Sequence, residues 1–156
     1  MARTRYRLRV SENAAVRTYD AAMATWDDVR SIALSLPGTS ERASRDHAHW
    51  WVNGKGFVWE RPLRAPDLAA LGSDAPEGPI LGARVADEGV KAALITAEPQ
   101  VYFTIPHFDG YPAILVQLDR IELDELRELI TEAWLSRAPK RLAEQLGEPP
   151  QGRELR

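Results

Sequence analysis

Two short apolar runs, His49–Val52 and Phe57–Glu60, are separated by Asn53-Gly54-Lys55-Gly56. Asn and Gly take up positive φ at little cost, which is the backbone a tight hairpin turn needs. This segment predicts two antiparallel strands joined by a turn, so the domain must contain a sheet. Trp50 and Trp51 are neighbours on the first of these strands, and neighbours on a strand face opposite ways. One indole therefore points away from the core, and the loop-rich stretch Pro62–Pro79 is the expected cover for it.

The rest of the pattern surrounds that hairpin. Thr25 with Asp28 three residues on forms a capping box, and Trp26, Val29, Ile32, Ala33 and Leu36 follow on one helical face. Pro37-Gly38 ends that helix. A short helix over Ala65–Leu71 interrupts the long loop, and Ile80–Val85 reads as a third strand. Asp87 caps a helix carrying Val90, Leu94 and Ile95 that stops before Pro99. Gln100–Ile105 and Ala113–Leu118 are short, apolar and β-branched, and predict two strands flanking Pro106–Pro112. The last long helix spans Asp124–Arg137, with Leu126, Leu129, Ile130, Ala133 and Trp134 on one face, and Lys140–Leu146 adds a further turn or two. Helix, hairpin, strand, helix, hairpin, helix is the order of an α+β two-layer sandwich. Its sheet is mostly antiparallel, with the helices packed on one face.

A chain of 156 residues fits one domain, and its 44% hydrophobic and 28% charged content is that of an ordinary folded protein. Residues 1–22 form a basic N-terminal extension, with five arginines against Glu12 and Asp20, net +3. Its simplest reading is a disordered segment, or translation from an upstream start with Met23 as the working one. Residues 23–147 are the expected domain and 148–156 a polar tail. From residue 23 onward, fifteen basic residues face twenty-one acidic ones, net −6, which weighs against a strongly electrostatic nucleic-acid binder. Seventeen arginines against three lysines suggest a GC-rich bacterial gene. The chain has no cysteine, which excludes disulfides and thiolate metal sites and fits the cytoplasm. No apolar run is long enough for a membrane span, and a monomer is expected.

Several segments together resemble one family. They are Trp26-Asp27-Asp28 leading to Leu36-Pro37-Gly38, the hairpin with Gly54-Lys55-Gly56-Phe57, and Pro106-His107-Phe108-Asp109-Gly110-Tyr111-Pro112 before an apolar strand. Glu125-Leu126, Leu129, Ala133-Trp134 and Ala138-Pro139 complete the set. From Thr25 to Leu146 the chain is similar to the MmcQ/YjbR family, and the turn from Pro106 to Pro112 is its most specific part. The resemblance implies a CyaY-like or secretion-chaperone-like fold and a DNA-binding role argued mainly from shape. It implies no catalytic residue.

The chemistry-bearing residues permit three functions. In the first, the chain is a DNA-binding module, weak and sequence-tolerant, that uses the hairpin as a wing. Lys55 sits at its tip beside Asn53, Arg45, Arg61 and Arg64 sit at its base, and Trp51 offers a ring to stack on a base. In the second, the chain binds a protein partner through an exposed sheet face or helix groove. In the third, a small hydrolase or ligand-binding protein uses His107 as base and Asp109 to orient it, with Gly110 and Tyr111 in the same turn. The simpler reading of that turn is architectural: Asp109 bonds its own backbone, Gly110 supplies free φ, and the two prolines stiffen the ends. His47 and His49, near Asp46, share a strand face and could be imagined around a metal, but two such histidines are ordinarily half-exposed sheet residues. Neither metal nor cofactor is expected, nor is an enzyme, because no nucleophile accompanies His107.

Overall fold

In the computed structural model, residues 23–147 are described; the basic extension and the polar tail lie outside them. Thr25 accepts from the Asp28 backbone N–H at 3.3 Å while the Asp28 carboxylate accepts from the Thr25 N–H at 2.9 Å, so the expected capping box opens helix α1 (Trp26–Ser35). Then follow β1 (Thr39–Glu41), β2 (His49–Val52), β3 (Lys55–Glu60), α2 (Ala65–Leu71) and β4 (Ile80–Arg84). The remainder is α3 (Glu88–Ala97), β5 (Tyr102–Phe103), β6 (Ala113–Gln117), α4 (Leu123–Arg137) and α5 (Lys140–Gly147). Asp87 caps α3 through the Val90 N–H at 2.9 Å. Two strands differ most from expectation. Thr39–Glu41 is an additional edge strand, and the strand expected over 100–105 shrinks to two residues, because the Val101 and Tyr102 N–H groups turn back to Glu98 O at the end of α3 and Ile105 O accepts from Phe108 in the following turn.

The six strands form one antiparallel sheet in the order β1-β2-β3-β4-β6-β5. The β2–β3 turn has Asn53 at φ 52° and Gly54 at φ 73°, as the Asn-Gly pair predicts. Between Trp50↔Val58 and Trp51↔Gly56 the register slips, leaving Phe57 as the extra residue of a β-bulge. The bulge puts Phe57 and Val58, though adjacent, into the same core.

That core lies between one sheet face and the helices. Trp50, Val52, Leu81, Ala83, Ile114 and Val116 meet Val29 and Ile32 of α1 and Leu126, Ile130 and Trp134 of α4. The predicted face of α4 is buried at all five positions, and the Trp134 indole N–H donates to Pro37 O at 3.0 Å, tying α4 to the end of α1. The result is the expected two-layer α+β sandwich. A smaller cluster (Ile80, Ile105, Phe108, Ala113 and Leu115) lies on the opposite sheet face, with Trp59, Leu63, Leu71 and Phe103 around it. Short α2, with its Leu71, therefore packs on the far side from the other helices. Ile80 of β4 and Ala113 and Leu115 of β6 are the apolar residues that need cover there.

Candidate functional site

The far sheet face is only partly covered, and the uncovered part is aromatic. His49 and Trp51 of β2 and Trp59 of β3 point outward together because residues two apart on a strand share a face and His49 pairs with Trp59. The rings of His49 and Trp51 stack with centroids 4.1 Å apart and planes 15° apart, and His49 and Trp59 follow at 5.6 Å and 21°. Arg42 closes the row, its guanidinium 4.5 Å above the Trp51 ring, while the Trp51 indole N–H donates to Arg42 O at 3.1 Å.

Two glycines make this row possible. A Cβ on Gly56 would collide with Nε2 of His49, and one on Gly82 would stand 2.5 Å from the Trp59 indole. The rings press on bare backbone, where any side chain would lift them off the sheet.

Opposite the row stands the turn from Pro106 to Pro112. It joins β5 to β6, begins as a 3-10 turn over Pro106–Phe108, and has Gly110 at φ 73°. Phe108 is its buried anchor, packed near Trp59 and stacked with Tyr111 at 5.9 Å. From below, the buried Lys91 ammonium donates to Phe108 O at 2.7 Å and Tyr111 O at 2.9 Å, which holds both ends of the bend. Between row and turn lies an open cleft of about 570 Å³. Arg84, at the end of β4, and Arg137, in the last turn of α4, line it as well; Arg84 lies 4.7 Å above the Tyr111 ring. Burial holds the His49 imidazole below its ordinary value, with the Arg42 charge adding to the effect, so the ring in the row is neutral at pH 7. Burial, then the nearby charge of Arg84, lowers Arg137.

The residues expected to carry DNA binding do not share one surface. Lys55 and Asn53 are exposed at the hairpin tip. Arg45 is exposed on a separate tight turn with Asp46, both at positive φ, closed by reciprocal Ser44–His47 backbone bonds of 2.9 and 3.0 Å. Arg64 is exposed ahead of α2, where its backbone N–H donates to Asp67. Arg61 is 6% exposed, pairs with Asp67 at 3.1 Å and bonds to Pro62 O; it anchors the 62–79 segment and does not reach a solvent-borne phosphate. The expected cover of the outward tryptophan is corrected: the 62–79 segment packs beside Trp59 through Leu63 and Leu71, while Trp51 is stacked between His49 and Arg42. The turn is only partly the closed scaffold expected, since His107, Asp109, Gly110 and Tyr111 are exposed and line the cleft. His47 faces Glu60 at 3.7 Å while His49 lies in the ring stack, so the two do not converge on a common point. Among the described residues no cluster of three or more His, Asp or Glu could hold a metal, and no helix is long and apolar enough to cross a membrane.

Sequence reasoning missed Arg42, Arg84 and Arg137. A signal for the row did exist: His49, Trp51, Gly56 and Trp59 alternate correctly for one face of a hairpin once the bulge at Phe57 is allowed.

A two-layer α+β domain with an aromatic, arginine-flanked cleft on its second sheet face is the class of protein so defined. The model of the family described as YjbR matches residues 34–136, and the chain belongs to that family. It is 59% identical over 125 residues to the uncharacterised protein Rv2570 of Mycobacterium tuberculosis, spanning 78% of this chain and 95% of the relative. The same figures hold for Mb2600 of Mycobacterium bovis. The crystal structure of Deinococcus radiodurans protein DR2400, with a DUF419 domain, superposes with a TM-score of 0.58 over 82% of this chain and 91% of that one, at 22% identity. That likeness concerns the fold.

Proposed function

We propose that this protein binds DNA weakly and with little sequence preference, through the outer face of the β2–β3 hairpin, and that its preferred substrate is single-stranded. The observation that carries the reading is the Arg42–Trp51–His49–Trp59 row beside an open cleft. Unpaired bases stack on aromatic side chains in a sequence-tolerant way, and here a base takes the place of the exposed Arg42 guanidinium on the outer face of Trp51, which frees that arginine for phosphate contact. A base in a duplex is already stacked and cannot enter such a cleft. Of the charged residues lining it, Arg84 and Arg137 outnumber Asp109, so the cleft is cationic within an acidic domain. The acidic remainder repels a polyanion, which makes the binding weak and strongly salt-dependent. The reading is one of binding without turnover. The hairpin still serves as the wing, but its ring-bearing face replaces its tip as the contact surface.

The test is a titration of labelled single-stranded and duplex DNA at low and moderate salt. Single strands are expected to bind about tenfold tighter, and Trp51→Ala to weaken them by roughly 1–3 kcal/mol, the usual worth of one stacked base. Lys55→Glu should have little effect. If Lys55→Glu abolishes binding while Trp51→Ala does not, the tip is the contact and the cleft is not. If the whole chain binds no DNA at low salt, the nucleic-acid reading fails.

One observation favours a protein partner instead. A second groove of about 480 Å³ runs between α3 and α4, with Val85, Val90, Leu94 and Leu129 in its wall and Arg127 and Glu132 at its edge. An amphipathic helix suits such a groove. Saturable binding of a helical peptide that Leu94→Asp removes would favour this second reading.

A further inference from the structure

We propose that Arg84 and Arg137 form a subsite for a phosphate monoester at the end of the aromatic cleft, so that the cleft takes a nucleotide or the phosphorylated end of a strand and not a strand's interior. The inference rests on the nucleic-acid reading of the cleft and narrows it.

The two arginines come from distant parts of the chain, one at the last residue of β4 and one in the final turn of α4. Both are half-buried and both line the same cleft. Arg30, Arg61, Lys91 and His47 face carboxylates within 4.0 Å, whereas neither of these two arginines has such a partner among the described residues. The Nε atom of each is buried without a hydrogen-bond acceptor. Each charge has a partial local reason: Arg84 stacks on Tyr111, and Arg137 complements the negative end of the α4 dipole. Neither reason supplies an acceptor for the buried N–H, and neither explains why two like charges stand together with Asp109 in the same cleft but, among the described residues, no carboxylate within ion-pair distance of either. The contrast with Arg61, more deeply buried and paired with Asp67, shows how this protein treats an arginine that has only a structural task.

A guanidinium presents its donors as a planar fork that matches a phosphate in bidentate fashion. Two forks match the two charges of a monoester better than the single charge of an internal phosphodiester. The ring-lined wall then receives the base attached to that phosphate. Arg84 lies over the Tyr111 ring of the turn, and Arg42 over the Trp51 ring of the row.

The experiment follows intrinsic tryptophan fluorescence of the full chain during titration with a 5′-phosphorylated oligonucleotide and its 5′-hydroxyl counterpart, with AMP and adenosine, and with inorganic phosphate. The phosphorylated member of each pair is expected to bind at least about tenfold tighter, the worth of one charge-assisted hydrogen bond. That difference should vanish in Arg84→Gln with Arg137→Gln, whose folding circular dichroism checks. Equal binding of the phosphorylated and hydroxyl oligonucleotides by the parent chain would overturn the monoester subsite while leaving the stacking surface intact. Binding of AMP over adenosine without binding of any oligonucleotide would uphold the subsite and overturn the DNA reading. Failure of every nucleotide and strand to bind would overturn both.

Discussion

The two faces of the sheet are built from the same strands and have opposite characters. On the helix side, Trp50, Val52, Phe57, Val58, Leu81, Ile114 and Val116 are all buried, and helices α1 and α4 close over them. On the other side, Ile80, Ala113 and Leu115 form a small covered island, and beyond it His49, Trp51 and Trp59 lie half-open among arginines and two bare glycines. Strand alternation by itself treats the two faces alike. The difference lies in what each face receives. A four-turn amphipathic helix seals a surface, whereas a seven-residue helix and a seven-residue turn seal part of one. Stability accounts for the first face completely. It does not account for a row of stacked rings left beside an open cleft, which is the kind of surface that marks a binding site.

Breaking the closed face should have the largest consequence. Trp134 is fully buried and its N–H is bonded to Pro37 O, so Trp134→Ala is expected to cost about 3–5 kcal/mol in denaturant unfolding. A variant that unfolds like the parent would mean that α4 is not what closes that face. The open face should respond less in stability and more in shape. In Gly82→Val the new side chain meets the Trp59 indole, and overpacking of this kind costs about 1–3 kcal/mol. The ring row should also be displaced, visible as a changed near-ultraviolet circular dichroism spectrum; an unchanged spectrum would show that the rings do not rest on the glycine.

The smallest effect is a pH dependence that belongs to the open face alone. His49 is held below its ordinary value of 6.5 by burial and by Arg42, so the fold favours its neutral form. Its contribution to stability is complete above 6.5 and is lost as pH falls through the lower, folded value. The parent chain should therefore lose slightly more stability between pH 7.5 and 5.5 than His49→Gln, measured by urea unfolding at each pH. Identical slopes would remove His49 from the account of that face.

Much of the closed face was legible in the sequence because its signals are local. The Thr25–Asp28 capping box, the Asn53-Gly54 turn and the apolar stripe of α4 each follow from neighbours within a few residues, and each appears as read. The open face was legible only in pieces. The turn from Pro106 to Pro112 stood out, and Trp51 was a candidate, but the arginines that stand with them were not. Arg61 reads as an exposed cation in sequence because nothing beside it marks it as buried; its partner Asp67 is six residues on, across a loop and a helix start. Arg137 marks only the end of the last long helix in the sequence.

By itself the sequence determined most of the elements, the antiparallel pairing of β2 with β3, and the face that α4 buries, since backbone φ preference, capping and periodicity act over a few residues. Tertiary structure alone decided that Phe57 bulges, that α2 crosses to the far side, that Arg61 is internal, and that Arg84 meets Arg137 across 53 positions of chain. The physical reason is that a charged side chain's role depends on the dielectric and the partners around it. Those are supplied by whichever strands and helices the fold brings beside it, and local pattern does not encode them.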